Sequence, residues 1–303
     1  MTRTVIVGCG YVGLELGRRL RAAGHTVTGV RRSDDGLAAV REAGLNAVRA
    51  DVTEPASLTD LPNAEAVVFA ASSGGRGAEA ARAVYVEGLS NVVEEYADRA
   101  ASPERLVYTS STGVYGDHDG DWVDETTPVE PTTPKTEVLV RAEETARQSP
   151  FDATVVRFAG LYGPERYRLE RYLEGPVTEG YLNMVHRDDA AGAVAHLLRR
   201  DRGWEETVIV VDDEPVSKWT FADWLAEACG VDSPPKRTKA ERLAEGDLSA
   251  AAERRILTSK RLRNDRLREL GYEFEQPTFR AGYRAAVAAY RGGGSDSNGP
   301  SDR

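Results

Sequence analysis

The 303-residue sequence predicts an α/β protein, a doubly wound parallel sheet with a small lobe towards the C-terminus. Two observations carry the prediction. Short apolar runs alternate with stretches of helical periodicity, the pattern of parallel βαβ units covered on both faces. A glycine-rich turn joins the first apolar run to the first helical stretch.

"TVIVG" (4–8) reads as a buried strand because it is a short apolar run closed by glycine. Residues 11–23 follow with helical periodicity and stop at Gly24. "HTVTGV" (25–30) alternates as a second strand, 34–43 form a short helix closed by Gly44, and "LNAVRA" (45–50) is a third strand. Pro55 and Pro62 bracket a loop. "AEAVVFAA" (64–71) is strand four, 79–100 a long helix, and "RLVYTSS" (105–111) strand five. A polar loop spans 116–134. A helix over 135–148 stops before Pro150, and "ATVVRFA" (153–159) is strand six. The pattern changes near Gly160. Short helices, loops and an isolated apolar run at 207–211 indicate a substrate-side lobe over 161–290 that folds back on the sheet, after a first domain over 1–160. The end, 291–303, has nothing to bury and is expected to be disordered.

Composition excludes several classes. Apolar residues make up 41% of the chain, ordinary for a soluble domain. No apolar run reaches the roughly twenty residues that span a bilayer. The start runs straight into "TVIVGCG" without the look of a signal peptide, so a cytoplasmic location and no membrane partner are expected. Cys9 and Cys229 lack metal-like spacing and read as small buried hydrophobes. Asp and Glu number 49 against 39 Lys and Arg, a net charge of −10, which argues against nucleic acid as a partner. Lysine occurs at 135, 218, 236, 239 and 260 alone. An acidic, lysine-poor surface suits a cytosol of high salt, where self-repulsion is screened, and a halophilic source is expected. A GC-rich genome would also favour arginine over lysine.

The glycine turn is Gly8-Cys9-Gly10-Tyr11-Val12-Gly13, a G-x-G-x-x-G placed after a strand and opening a helix. That context points to a dinucleotide. Gly8 serves the turn, Gly10 the approach to a pyrophosphate and Gly13 close helix–strand packing, while the helix N-terminus offers N–H groups to phosphates. An acidic residue ending strand two would select NAD. This strand ends "GVRRSDD", with Arg31 and Arg32 in that place, and guanidinium groups suit a 2′-phosphate. NADP(H) is favoured. NAD(H) stays open, with both arginines solvated and Asp34 or Asp35 serving the ribose.

With three later motifs, "SSTGVYG" (110–116), "VVRFAGLYGP" (155–164) and "NMVHRDDAAGAV" (183–194), the sequence resembles the extended short-chain dehydrogenase/reductase superfamily, in its NAD-dependent epimerase/dehydratase branch. The resemblance covers roughly 3–290. It implies a Rossmann-like fold with Asp51 at the adenine and Ala70, Ala71 and Ser72 along the cofactor. It implies Ser111 on the substrate oxygen, with Thr112 as a second candidate there. The family's base is a tyrosine, with a lysine four residues on that lowers its pKa. Counting two dozen residues past Ser111 reaches "KTEVL", where Lys135 and Leu139 stand in those places. The asparagine that some members carry on the preceding helix is replaced by Tyr85. Lys135 as a base, Tyr115 or His118 as a stand-in, and no proton-transfer chemistry all remain open. Tyr115 is more often structural in such proteins, packing beneath the site.

"GDHDGDWVDE" (116–125) has the alternation of a calcium loop, but Gly120 and Pro128 fall where that loop cannot use them, so no metal is expected. His186, beside Asp188 and Asp189, is a candidate substrate contact, and an Asp there would cap the next helix. Arg166, with Arg168 and Arg171, suits an anionic substrate, or forms a surface helix with Glu–Arg pairs. The expectation is an NADP(H)-dependent, epimerase-like oxidoreductase acting on a sugar or nucleotide-sugar-like small molecule. The alternative is a non-catalytic NADP(H)-binding sensor or scaffold. The resemblance also makes a homodimer a partner state to test.

Overall fold

The structure is a computed structural model that describes residues 2–74, 77–199, 203–246 and 248–293. Its first half alternates strand and helix: β1 (Arg3–Val7), α1 (Tyr11–Ala22), β2 (Thr26–Arg31), α2 (Asp34–Glu42), β3 (Asn46–Arg49), the one-turn α3 (Pro55–Leu58) and β4 (Ala66–Phe69). A long helical stretch follows in three parts. These are α4 (Ala78–Arg82), a π-helical turn at Ala83–Glu87, and α5 (Gly88–Ala97). Then come β5 (Arg105–Ser111), a 3₁₀ turn (Thr112–Tyr115), the short β6 (Trp122–Val123), α6 (Pro134–Arg147) and β7 (Asp152–Phe158).

The strands form one sheet in the order 207–210, β7, β5, β4, β1, β2, β3, and every pairing is parallel. The order reverses direction between β4 and β1. In such sheets the strand ends part there and leave a crevice at their C-terminal edge. Central strands such as β4 are buried along their whole length, which is why they read as unbroken apolar runs. One core lies on each face, with Leu16 and Val194 on one side and Leu89 and Tyr96 on the other.

The isolated apolar run enters this sheet. Thr207–Val210 pairs with β7 as the seventh strand, and the helix Arg187–Arg199 packs against α1. Both fall inside 161–290, so this stretch shares the sheet and its flanking layer as well as building the lobe. A separate aromatic cluster around Phe221, Phe279 and Tyr283 forms the lobe's core. The proline-bracketed loop contains α3, and residues 284–293 form a last helix. Of the tail expected to be disordered, 291–293 end that helix and 294–303 lie outside the described residues. Among the described residues no helix is long and apolar enough to cross a membrane.

Candidate functional site

The crevice at the strand ends is a cleft of about 800 Å³. Gly8, Gly10, Tyr11, Val12 and Gly13 line it, as do Arg31, Arg32, Asp51, Ala70, Ala71 and Ser72. Gly8 has φ +84°, and a Cβ there would fall 2.3 Å from the Ala71 Cα, so the turn admits glycine and little else. A Cβ on Gly10 would meet the Arg31 Nη1 at 2.7 Å, because the guanidinium lies across the turn. Helix α1 opens on Gly10 without a side-chain cap and without acidic residues in its first turn. Its first N–H groups and the positive end of its dipole are therefore left for an anion in the cleft. This cradle fits a dinucleotide pyrophosphate.

The far end of β2 decides which carboxylates could reach a ribose. Asp34 is held outside by Arg49, and neither Asp34 nor Asp35 lines the cleft. Ser33 does, while its Oγ caps α2 by accepting the Gly36 N–H at 3.2 Å. Asp51 receives the Thr53 N–H at 3.0 Å and the Arg32 Nη1 at 3.4 Å. Burial raises its carboxyl pKa, and these bonds outweigh burial, so it stays below the usual range. Arg166 also lies at this cleft, its guanidinium 4.0 Å over the Tyr11 ring. It therefore faces the cofactor side. Cys9, one residue into the turn, is sealed, and burial pushes its thiol up to about 12.

A second cleft of about 670 Å³ adjoins the first. Ser111, Lys135 and Leu139 line both, so the two meet at the end of β5 and the first turns of α6. Ser111 accepts the Gly113 N–H at 3.1 Å, which leaves its own O–H free to donate to a substrate oxygen. The outer cleft also receives Lys218, Arg254, Arg255 and Lys260. No Asp or Glu is among its described lining residues. Lys260 donates to the Gly116 carbonyl at 2.6 Å, and burial brings its ammonium pKa down to about 8. Burial, with Arg171 and Lys239 nearby, also lowers Lys218. Three of the five lysines thus gather at one opening of an acidic protein. Their scarcity was the signal in the sequence; their distance along the chain hid that they meet.

Four sequence candidates lie elsewhere. Tyr115 is fully buried and accepts the Arg157 Nη1–H at 2.7 Å, and burial pushes its hydroxyl up to about 12. It lines neither cleft, as a packing role beneath the site would require. Thr112 turns inward and donates to the Phe158 carbonyl at 3.3 Å. His186 is buried against Tyr162, its pKa lowered by burial, and lines neither cleft. His118 packs its Nε2 against the Tyr115 carbonyl at 2.9 Å. Asp189 does not serve as the expected helix cap. It lies inside the first turn and accepts the N–H groups of Glu275 and Gln276 at 2.7 and 2.8 Å. Among the described residues no group of three or more His, Cys, Asp or Glu side chains is placed to hold a metal ion.

Comparison with known proteins agrees with this geometry. The family model described as NAD(P)H-binding matches residues 8–201. Protein YeeZ of Escherichia coli (strain K12) is 31% identical over 290 residues, covering 91% of this chain and 97% of its own. A Methylobacillus flagellatus structure described as an NAD-dependent epimerase/dehydratase is 32% identical, with a TM-score of 0.77 over 96% of this chain and 99% of that one. Human epimerase family protein SDR39U1, solved with NADPH, shares the fold at 19% identity, with a TM-score of 0.77 over 94% of this chain and 99% of that one. The cradle, the sheet order and these likenesses together place the chain in the NAD(P)H-binding family, within the extended short-chain dehydrogenases/reductases of epimerase/dehydratase type.

Proposed function

We propose that the protein is an NADP(H)-dependent oxidoreductase of the epimerase/dehydratase kind, acting on an anionic sugar or nucleotide-sugar-like substrate in a salt-rich cytoplasm. One observation carries the reading. A dinucleotide cradle and a cationic second cleft meet at Ser111 and Lys135. A site for cofactor alone would not need the second opening. Arg31 and Arg32, with no acidic residue of α2 lining the cleft, support a 2′-phosphate. SDR39U1, which shares the fold, was solved with NADPH. When bound, the nicotinamide supplies or takes up hydride at C4. The chain's own residues do the rest. Ser111 orients the reacting oxygen, the glycine turn and α1 hold phosphates, and Lys218, Lys260 and Arg254 hold the substrate's anionic end.

A sensor or scaffold is the second reading, and Leu139 favours it. This leucine lines both clefts at the position of the family's lysine and cannot stabilise a phenolate.

Cofactor choice is tested by fluorescence titration in molar KCl with NADPH and with NADH. NADPH binds about tenfold or more tighter, and Arg31→Ala with Arg32→Ala removes most of that margin. Equal affinity for the two in the native protein sinks the NADP preference.

A further inference from the structure

We infer, on the enzyme reading above, that Tyr85 and Lys135 form the acid–base pair of this site, brought together from two helices. The usual pair sits on one helix, four residues apart; here those places hold Lys135 and Leu139. The π-helical turn that carries Tyr85 packs against α6. Tyr85, Ser111 and Lys135 all line the inner cleft.

Three features of this arrangement favour an oxygen that can carry negative charge. The Ser73 N–H and Oγ point at the Tyr85 hydroxyl oxygen from 3.4 and 3.5 Å, long contacts that tighten on a phenolate. Lys135, on α6 at the same cleft, adds a positive charge. That lysine stands in the first turn of its helix, where the dipole disfavours a cation, so helix stability does not explain it. The third feature is the π turn, which inserts a residue into the helix and re-aims the side chains it carries; such turns recur at functional sites.

The charges around Tyr85 agree. Burial raises its hydroxyl pKa, and the Ser73 bonds, the Lys135 charge and Ser72 outweigh burial, so it lies below the usual range. On β5, Tyr108 is a titratable neighbour of Tyr85, and burial pushes its hydroxyl up.

In the oxidative direction the Tyr85 oxygen takes the hydroxyl proton of an alcohol substrate. The carbon gives up hydride to the oxidised nicotinamide, and the alcohol becomes a carbonyl. The proton then passes from Tyr85 to solvent. Lys135 touches no reacting atom in this scheme; it holds Tyr85 ready and is a positioning residue.

The first test needs no substrate. Tyrosinate absorbance is followed against pH in the native protein, Tyr85→Phe, Lys135→Met and Lys135→Arg, each checked for an intact melting transition. One tyrosine of the native protein ionises below the ordinary range, and Tyr85→Phe deletes that step. Lys135→Met moves it up by about a pH unit, roughly tenfold in proton affinity, and Lys135→Arg keeps it low. A native titration that Tyr85→Phe leaves unchanged below pH 10 overturns the pair. The second test is turnover of a deproteinised metabolite extract with NADP(H). Tyr85→Phe lowers it about a hundredfold or more. Native turnover that survives the change overturns Tyr85 and spares the enzyme reading. A native protein that binds NADPH and turns over nothing overturns the enzyme reading, and Tyr85 as acid or base falls with it.

Discussion

On the proposed function, Ser111 and Lys260 each work through a single atom. Ser111 stands where the clefts join, its O–H available to a substrate oxygen. Ser111→Ala lowers turnover about a hundredfold while NADPH affinity, measured by fluorescence, stays near native. Activity that survives the change removes Ser111 from the mechanism. Lys260 is cationic below about pH 8 and neutral above it, because burial disfavours its charge. Sulfate keeps its own charge through this range, so calorimetry on NADPH-saturated protein reads the lysine. Sulfate binding weakens as pH rises through 8, and Lys260→Met is weak throughout. A flat native profile contradicts an anion subsite at Lys260. At this scale the cofactor half of the site was legible, because a glycine turn and two arginines sit at fixed offsets along one βαβ unit. Tyr85 was not: no spacing relates residue 85 to residue 135, and helix packing alone brings them together. Thr112 and Tyr115 face the core because β5 ends at Ser111 and the 3₁₀ turn that follows puts residues three apart on one side, here the buried one.

At the scale of elements, α6 carries Lys135 and must be held in place. Thr133 caps it by accepting the Thr136 N–H at 2.9 Å, and the Thr136 Oγ1 accepts the Thr133 N–H in return at 3.0 Å. Two turns past Lys135, the fully buried Glu143 ties this helix to the sheet. It accepts the Ser110 Oγ–H of β5 at 2.6 Å and the Arg157 Nε and Nη2 of β7 at 2.9 and 2.6 Å. Burial alone would raise its carboxyl pKa, and Arg157 reverses the shift and lowers it. Glu143→Ala leaves the Arg157 charge buried with half its partners gone, and chemical denaturation shows a loss of about 3–5 kcal/mol. For a carboxyl lowered in the folded state, the stabilisation is present above the ordinary glutamate value. It is lost as pH falls through the lowered native value. The native protein and Glu143→Ala should therefore converge in stability towards acid pH; a constant difference down to pH 3 contradicts the ionic account. The sequence showed the helix and its stop, a helical run over 135–148 that ends before Pro150. It did not show the network, whose members lie on three separate elements.

For the whole molecule, most of the sheet followed from period and punctuation. Strands buried on both faces are unbroken apolar runs, and glycines close the helices between them. The seventh strand was legible only as an isolated apolar run, because "TVIVV" stands about fifty residues after β7 and its neighbours are short and irregular, so nothing local marks its place at the sheet edge. Charge is also a property of the whole. On the proposed function, a cationic mouth on a molecule of net −10 would draw an anionic substrate past a generally repelling surface, less strongly as salt rises. If the acidic surface is adapted to salt, the melting temperature rises between dilute buffer and molar KCl; a temperature that stays level contradicts that adaptation. The most direct test is protein incubated in molar KCl with a deproteinised metabolite extract and either NADPH deuterated at C4 or, in a parallel sample, NADP+, followed by chromatography-resolved mass spectrometry beside a protein-free control. An enzyme of this kind yields a protein-dependent product, either a metabolite that carries one deuterium or an isomer that arises at the expense of its partner. Protein that binds NADPH yet leaves every metabolite unlabelled and unchanged would contradict the enzyme reading, and a sensor that reads the cofactor without transforming anything would be the better description.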